Sequence, residues 1–176
     1  DTGDYPDAQA KALAAAGYDD FPARQKTALS QGRHIGIGIG NYVEGTGLGP
    51  FEGATIRILT NGRVAIYTGA AAAGQAHRTT LAQICADELN IDVTDIDVVG
   101  GDTGVMPRGA GTYASRITVN AGSSTRMAAT ELRGKALALA AAKFDVKPED
   151  VELTHGAVRI KGEQGDSITF EELAKM

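Results

Sequence analysis

Small and apolar residues recur at helical spacing in the first part of the chain, where two helices are predicted. The first is predicted from Tyr5 to Gly17, because glycine readily adopts the left-handed conformation that ends helices. Its apolar positions are Ala8, Ala12, Leu13 and Ala16. A second, shorter helix is predicted from Phe21 to Gln31, with Phe21 and Leu29 turned inward.

Residues 34–43 change to a period of two. Isoleucine alternates strictly with glycine from Ile35 to Gly40. This alternation predicts a strand with one apolar face and one face of bare main chain. A bare face permits close packing of another part of the chain, and it equally permits a ligand to lie against the main chain. Both explanations stay open.

A β-hairpin is predicted after a glycine-rich loop that spans residues 44–53. The Asn61-Gly62 pair is typical of a tight type I′ turn. On both sides of this pair apolar and polar residues alternate, with the apolar positions at Ile56, Ile58, Val64 and Ile66.

Two long helices are predicted next, each after a glycine-rich loop. The first runs from about His77 to Asn90, and a short buried strand follows over Asp95–Val99. The second helix runs from about Ile117 to Ala142 and is rich in alanine. Its inward stripe is predicted at Met127, Gly134, Leu137, Ala141 and Phe144.

The last part of the chain completes the fold prediction. Two short strands, Val151–Leu153 and Val158–Ile160, are expected to pair around His155-Gly156, and a terminal helix is expected from Phe170 to Lys175. Hairpins combined with strand-loop-helix units predict a layered α+β fold, in which short strands pack with the two long helices. No repeat or linker divides the sequence, so a single domain over residues 1–176 is predicted.

Composition and charge narrow the class of protein. Hydrophobic residues make up 43% and charged residues 22% of the chain, which indicates a globular protein. The net charge of −5 disfavours sequence-independent binding to nucleic acid or to an anionic membrane. No apolar run is long enough for an integral membrane segment, and the single cysteine, Cys85, favours a reducing compartment, so the cytoplasm is predicted. The chain does not begin with methionine and is expected to be a piece of a longer protein.

The two glycine-rich loops are the strongest candidates for chemistry. The first loop ends in Gly74, Gln75, Ala76 and His77, where the first N–H groups of a helix lack intrahelical partners and favour an anion. The second leads into its helix through Thr112, Tyr113, Ala114, Ser115 and Arg116, which supply three hydroxyls and a guanidinium. Together they predict a bipartite anion site. The alternative for the first loop is that Gln75 or Thr79 simply caps the helix.

Other polar residues are interpreted as structural. His34 and His155 lie at a strand start and a turn, and Cys85 lies on the apolar side of its helix, where an inert thiol is expected. Glu44 and Glu52 flank the 44–53 loop and are expected to be surface acids, although a pair of catalytic carboxylates stays open.

Several motifs resemble the molybdenum hydroxylases of the xanthine dehydrogenase and aldehyde oxidase family. The chain is most similar to the large subunit of bacterial enzymes of the carbon monoxide dehydrogenase type, and the likeness covers nearly its whole length. The motifs that carry it are Gly36-Ile37-Gly38-Ile39, Glu44-Gly45-Thr46-Gly47, Gly74-Gln75-Ala76-His77, Leu81-Ala82-Gln83-Ile84, Ala86-Asp87-Glu88-Leu89, Gly101-Asp102-Thr103 and Gly111-Thr112-Tyr113-Ala114-Ser115-Arg116.

This resemblance implies a function for both loops. In the family they hold the molybdopterin cofactor, which in bacteria usually carries a cytosine nucleotide and binds molybdenum. The resemblance therefore implies that the cofactor contacts are Gly74, Gln75, Ala76, His77, Thr112, Tyr113, Ala114, Ser115 and Arg116. It also implies a small-molecule substrate, hydroxylated or oxidised with oxygen from water, and iron-sulfur clusters and FAD on partner subunits or domains.

The chain differs from the family in two ways. The family subunit is several times longer, and its catalytic glutamate lies in a segment that this chain lacks, so no catalytic residue and no metal ligand are expected here. The family often has Gln-Gly-Gln-Gly-His where this chain has Ala73-Gly74-Gln75-Ala76-His77. The two alanines favour an alternative function, a non-catalytic binding or scaffold module that has lost the cofactor.

Overall fold

A computed structural model of the chain describes residues 3–163 and 165–176. The chain divides into two compact units, Asp1–Val43 and Glu44–Met176. Compact units arise both within one domain and from separate domains. The single-domain expectation for residues 1–176 therefore stays a prediction.

The first unit contains two helices and an extended segment. Helix α1 spans Tyr5–Ala16 and ends at Gly17 in the left-handed conformation, as predicted. Helix α2 spans Phe21–Ser30, but the prediction that Leu29 faces inward is wrong, because its side chain is 57% exposed. The predicted strand over 34–43 is not formed either, since this segment has no regular secondary structure and no β-partner among the described residues.

A three-stranded sheet organises the second unit. Strands β1 (Ala54–Ile58) and β2 (Val64–Thr68) form the predicted antiparallel hairpin. Strand β3 (Ile96–Gly100) pairs with β2 in parallel, and helix α3 (His77–Leu89) makes the crossover between them. The crossover brings the ends of β2 and β3 side by side, so the loops that follow both strands emerge at one edge of the sheet.

The hairpin turn differs from the predicted type I′. Its loop has three residues, because Leu59 N–H bonds to the Arg63 carbonyl and Gly62 N–H bonds back to the Leu59 carbonyl. Gly62 is left-handed with φ 80°, while Asn61 is not, as in a type I turn followed by a glycine bulge. Positive φ at both central residues of a tight turn occurs instead at His155 and Gly156.

The last part of the chain forms a second three-stranded sheet. Strands β4 (Val151–Thr154) and β5 (Ala157–Ile160) pair as predicted, and β5 also pairs with β6 (Ser167–Thr169), which the sequence did not indicate. Helix α5 (Phe170–Leu173) follows and begins with a capping box formed by Thr169 and Glu172.

Helix α4 (Ile117–Phe144) packs on α3 and β1, and it contributes mainly small residues to the core between them. The predicted inward stripe is partly wrong, because Met127 is 74% exposed. The buried positions of α4 include Ala121, Thr125, Ala129, Ala136 and Ala140. Alanines on this face let the 28-residue helix lie close to the strands and to α3. The α+β class is confirmed.

Candidate functional site

The first glycine-rich loop leads into α3 without any capping side chain in the described part of the chain. Ala76 adopts the left-handed conformation, with φ 58°, and α3 begins at His77. The Gln75 side chain turns back on its own loop, where Oε1 accepts a hydrogen bond of 2.7 Å from Ala73 N–H. The capping alternative for Gln75 or Thr79 is therefore wrong, and the first-turn N–H groups keep their capacity to bind an anion.

The second loop takes an unusual main-chain path before α4. Gly111 has φ 95°, and Ala114 and Ser115 have φ 50° and 47°, a left-handed conformation that is costly for residues with a Cβ atom. Upstream, a Cβ atom on Gly109 would lie 2.5 Å from the Gly69 carbonyl oxygen, so the main chains of the two loops are in direct contact.

One hydrogen-bond chain joins the two loops. Thr112 Oγ1 donates to the Ala71 carbonyl at 2.6 Å, and it lies 3.0 Å from Nε2 of His77. Because the single hydroxyl proton is used toward Ala71, Nε2 of His77 is assigned as the donor in the second bond. In the neutral ring this tautomer leaves Nδ1 as an acceptor.

A buried ion pair ties the 44–53 loop to the second loop. The side chains of Glu52 and Arg116 are both fully buried, and Arg116 Nη1 lies 2.5 Å from Glu52 Oε1. The same oxygen accepts from the N–H groups of Ala110 and Gly111, at 2.9 and 3.0 Å. The expectation that Glu52 is a surface acid is therefore wrong.

The remaining donors of Arg116 bind main-chain carbonyls. Nε donates to Leu48 at 3.0 Å, Nη1 to Gly111 at 2.7 Å, and Nη2 to Pro50. The guanidinium has no exposed surface, and its contact with the cofactor stays a prediction. Its hydrogen bonds shape the loops on either side of it.

The two loops line one open cleft of about 620 Å³. Seven of the nine residues predicted as cofactor contacts lie along it, and Gly74 and Ala76 do not. The residues that line it are Glu44, Thr46, Gln75, His77, Thr112, Tyr113, Ala114, Ser115, Arg116, Ile117, Thr118 and Val119. Sequence reasoning missed Glu44 and Thr46 as lining residues, although the Glu-Gly-Thr-Gly motif that contains them was part of the resemblance.

The main chain of the first loop is open at Gly74. This glycine has a positive φ value and no atom within 4 Å of the position that a Cβ atom would take. A glycine in this setting leaves the main chain accessible. Two uncapped helices beginning at the cleft add positive potential from their N-terminal ends.

Other candidate chemistry is absent from the described residues. No group of three or more His, Cys, Asp and Glu side chains within 3–163 and 165–176 is arranged to hold a metal ion. Cys85 is fully buried, and burial, together with the nearby Glu88 carboxylate, raises the pKa of its thiol to about 12. The predicted inert thiol agrees with this environment. None of the helices described is long and apolar enough to cross a membrane.

Comparisons with known proteins agree on the family. Residues 11–176 match the molybdopterin cofactor-binding domain family. The gamma subunit of the 6-hydroxypseudooxynicotine dehydrogenase complex of Paenarthrobacter nicotinovorans is 39% identical, with 92% of this chain and 20% of that protein covered. The carbon monoxide dehydrogenase large chain of Afipia carboxidovorans is 38% identical, with 99% and 24% covered.

A solved structure gives the same result. The crystal structure of the Cu,Mo-CO dehydrogenase in its carbon monoxide reduced state matches with a TM-score of 0.66 and 38% identity, covering 99% of this chain and 24% of that chain. The chain thus spans about a fifth to a quarter of the length of these relatives. The resemblance to large subunits of molybdenum hydroxylases is confirmed, and the chain belongs to the molybdopterin cofactor-binding domain family.

Proposed function

We propose that the cleft between the two glycine-rich loops binds part of the molybdopterin cofactor in a longer molybdenum hydroxylase subunit. The observation that carries this proposal is the convergence of two loops, separated by more than thirty residues in sequence, on one cleft. Gln75 and His77 come from one loop, and residues 112–116 come from the other. Polar groups that converge on a single concave surface are typical of a ligand site.

The cleft has the donors that a long, anionic cofactor requires. The first-turn N–H groups of α3, which begins at His77 in the cleft, are suited to phosphate oxygens. The side chains of Gln75, Thr112, Tyr113 and Ser115 are suited to the polar edges of a heterocycle. Arg116 serves through its guanidinium, which holds the loops in place by bonds to the Leu48 and Gly111 carbonyls.

In the full-length enzyme the bound cofactor supplies the redox chemistry, and this chain supplies position and electrostatics. We propose that the enzyme hydroxylates or oxidises a small substrate with oxygen from water. The cofactor is proposed to be the cytosine dinucleotide form, and the iron-sulfur clusters and FAD are proposed to lie on partner subunits in the cytoplasm. The 176-residue chain has no candidate catalytic residue of its own, so we expect it to show no hydroxylase activity with an artificial electron acceptor.

Thr112→Val in the full-length subunit tests the site. The substitution keeps the shape of the side chain but removes the hydroxyl that links the loops and faces the cleft. Loss of one such hydrogen bond costs about 1 to 1.5 kcal/mol, or roughly a five- to tenfold weaker retention of molybdenum and pterin after gel filtration. Thr130→Val is the matched control, because the Thr130 hydroxyl only bonds back to the Arg126 carbonyl on exposed helix. Equal metal and pterin content in both variants would contradict the assignment.

A second candidate, the scaffold module without cofactor, is favoured by one observation. Ala76 replaces a glycine at a left-handed position, and Gln75 is turned onto its own loop, so the first loop is less open than the family motif implies. The two functions differ in the unaltered full-length complex. Molybdenum and pterin in stoichiometric amounts support the cofactor site, whereas their absence from a complex that is purified after expression with molybdate supports the scaffold.

A further inference from the structure

The segment 34–43 has the properties of a strand that lacks its partner. It forms no helix, strand or turn, and no hydrogen bond between main-chain groups within the described ranges of the chain involves any of its residues. The Ile35 carbonyl accepts one bond from the Gln25 side chain, at 3.0 Å. Main-chain groups in folded proteins are almost always paired, so a run of this length without partners indicates an edge that pairs elsewhere.

Both faces of this segment are also uncovered. Ile37 and Ile39 are 39% and 49% exposed on one face. On the other face, Cβ positions on Gly36, Gly38 and Gly40 would have nothing within 4 Å. Charged residues and proline keep free strand edges from pairing, and residues 35–43 contain neither.

The unit that contains the segment has almost no core. Ala28 is the only buried residue within the described positions 3–43, and α1 buries none. A groove of about 570 Å³ runs between α1 and residues 40–43, lined by apolar groups such as Tyr5, Ala12 and Tyr42. A unit of this size with one buried alanine needs apolar contacts from another source to be stable.

The comparisons indicate what that source is. The family match begins at residue 11, so the segment belongs to the domain and is not an appendage. The relatives are four to five times longer than this chain, so the domain normally folds with far more polypeptide around it. A strand edge in the same polypeptide has a higher effective concentration than one on a second molecule.

We propose that residues 35–43 form a β-strand by pairing with a strand edge in the remainder of the full-length large subunit. The isoleucine face then packs into that subunit's core, and the glycine face lets a second layer of main chain or side chains approach closely. The groove along α1 is filled by apolar side chains from the same source. This pairing is independent of the cofactor.

Amide hydrogen exchange in the full-length subunit and in the 176-residue chain tests the proposal. We expect the amides of residues 36–42 to exchange at least about a hundredfold more slowly in the full-length subunit, whether or not it holds cofactor. Rapid exchange in both proteins would overturn the proposal. Slow exchange already in the 176-residue chain would also overturn it, and a dependence on protein concentration would then identify a second copy as the partner.

A pair of variants gives an independent readout. Ile37→Asp should lower the thermal unfolding midpoint of the full-length subunit by several degrees and leave that of the 176-residue chain unchanged. Ile37→Val, which keeps the apolar face, should have little effect in either protein. An unchanged midpoint for Ile37→Asp in the full-length subunit would show that this face is not buried there.

Discussion

The buried pair of Arg116 and Glu52 predicts a large loss of stability when one partner is removed. Arg116→Met keeps much of the side-chain length but leaves the Glu52 carboxylate without a countercharge. Glu52 is 2% exposed, and its Oε2 atom has no hydrogen-bond partner in the described residues. Its Oε1 atom would keep only the Ala110 and Gly111 N–H groups.

The size of the effect follows from burial. Breaking a buried ion pair by removing one partner typically costs about 3 to 5 kcal/mol, because an uncompensated charge remains in a medium of low dielectric constant. A domain of this size is stable by about 5 to 15 kcal/mol, so the loss is a large fraction of the total. Arg116→Met also releases the carbonyls of Leu48, Gly111 and Pro50, which places the expected cost toward the upper end of the range.

Urea unfolding of the 176-residue chain, followed by far-ultraviolet circular dichroism, measures this cost. Arg126→Met is the control, since Arg126 is 74% exposed and lies 3.8 Å from Glu88, a geometry for which about 0.5 kcal/mol or less is expected. Glu52→Gln combined with Arg116→Met removes both charges and should recover at least about 1.5 kcal/mol relative to Arg116→Met alone. A cost below about 1 kcal/mol for Arg116→Met, or no coupling between the two substitutions, would refute the reasoning.

Three further substitutions give smaller, directional effects. Ala76→Gly should stabilise the chain by about 0.5 to 1 kcal/mol in the same urea assay, because Ala76 has φ 58° and glycine adopts this conformation without strain; a loss of stability would contradict the left-handed geometry. Gly109→Ala should destabilise the chain, since the new Cβ atom would lie 2.5 Å from the Gly69 carbonyl oxygen. The control Gly134→Ala, in open space on α4, should stabilise the chain by about 1 kcal/mol. Burial raises the pKa of the Cys85 thiol from 9.0 to about 12, so its contribution to stability is complete below pH 9 and declines as the pH rises toward 12. Cys85→Ala should flatten that decline in stability-pH curves, and an equally steep curve would contradict the assignment.

Local patterns were sufficient to predict most elements of the second unit. The hairpin, α3, α4 and the β4-β5 pair lie within two residues of their predicted bounds, because the spacing of apolar residues decides each of them locally. The turn types were not predictable in the same way. The register that pairs Ile58 with Val64 leaves five residues between the strands, and the hydrogen bond from Leu59 N–H to the Arg63 carbonyl reduces the loop to three.

Errors arose where neighbours distant in sequence decide the outcome. Ile-Gly alternation predicted a strand over 34–43 that the structure does not form, because a strand also needs an edge to pair with. Met127 fits the apolar spacing of α4, yet the sheet contacts the helix on a face of alanines beside it. Glu52 and Arg116 are both charged and 64 positions apart, so nothing in the sequence near either residue indicates that each is buried against the other.

The cleft is held open by contacts that do not depend on a ligand. The Glu52–Arg116 pair fixes the 44–53 loop against the second loop, the main-chain contact between Gly69 and Gly109 fixes the loop bases, and Thr112 links His77 to Ala71. Each contact joins segments that follow different strands or helices, so the polar groups reach their positions when the domain folds. A site arranged in advance loses little conformational entropy on binding. Substitutions in the buried contacts should therefore change stability and ligand retention together, whereas substitutions of the exposed lining residues should change retention alone.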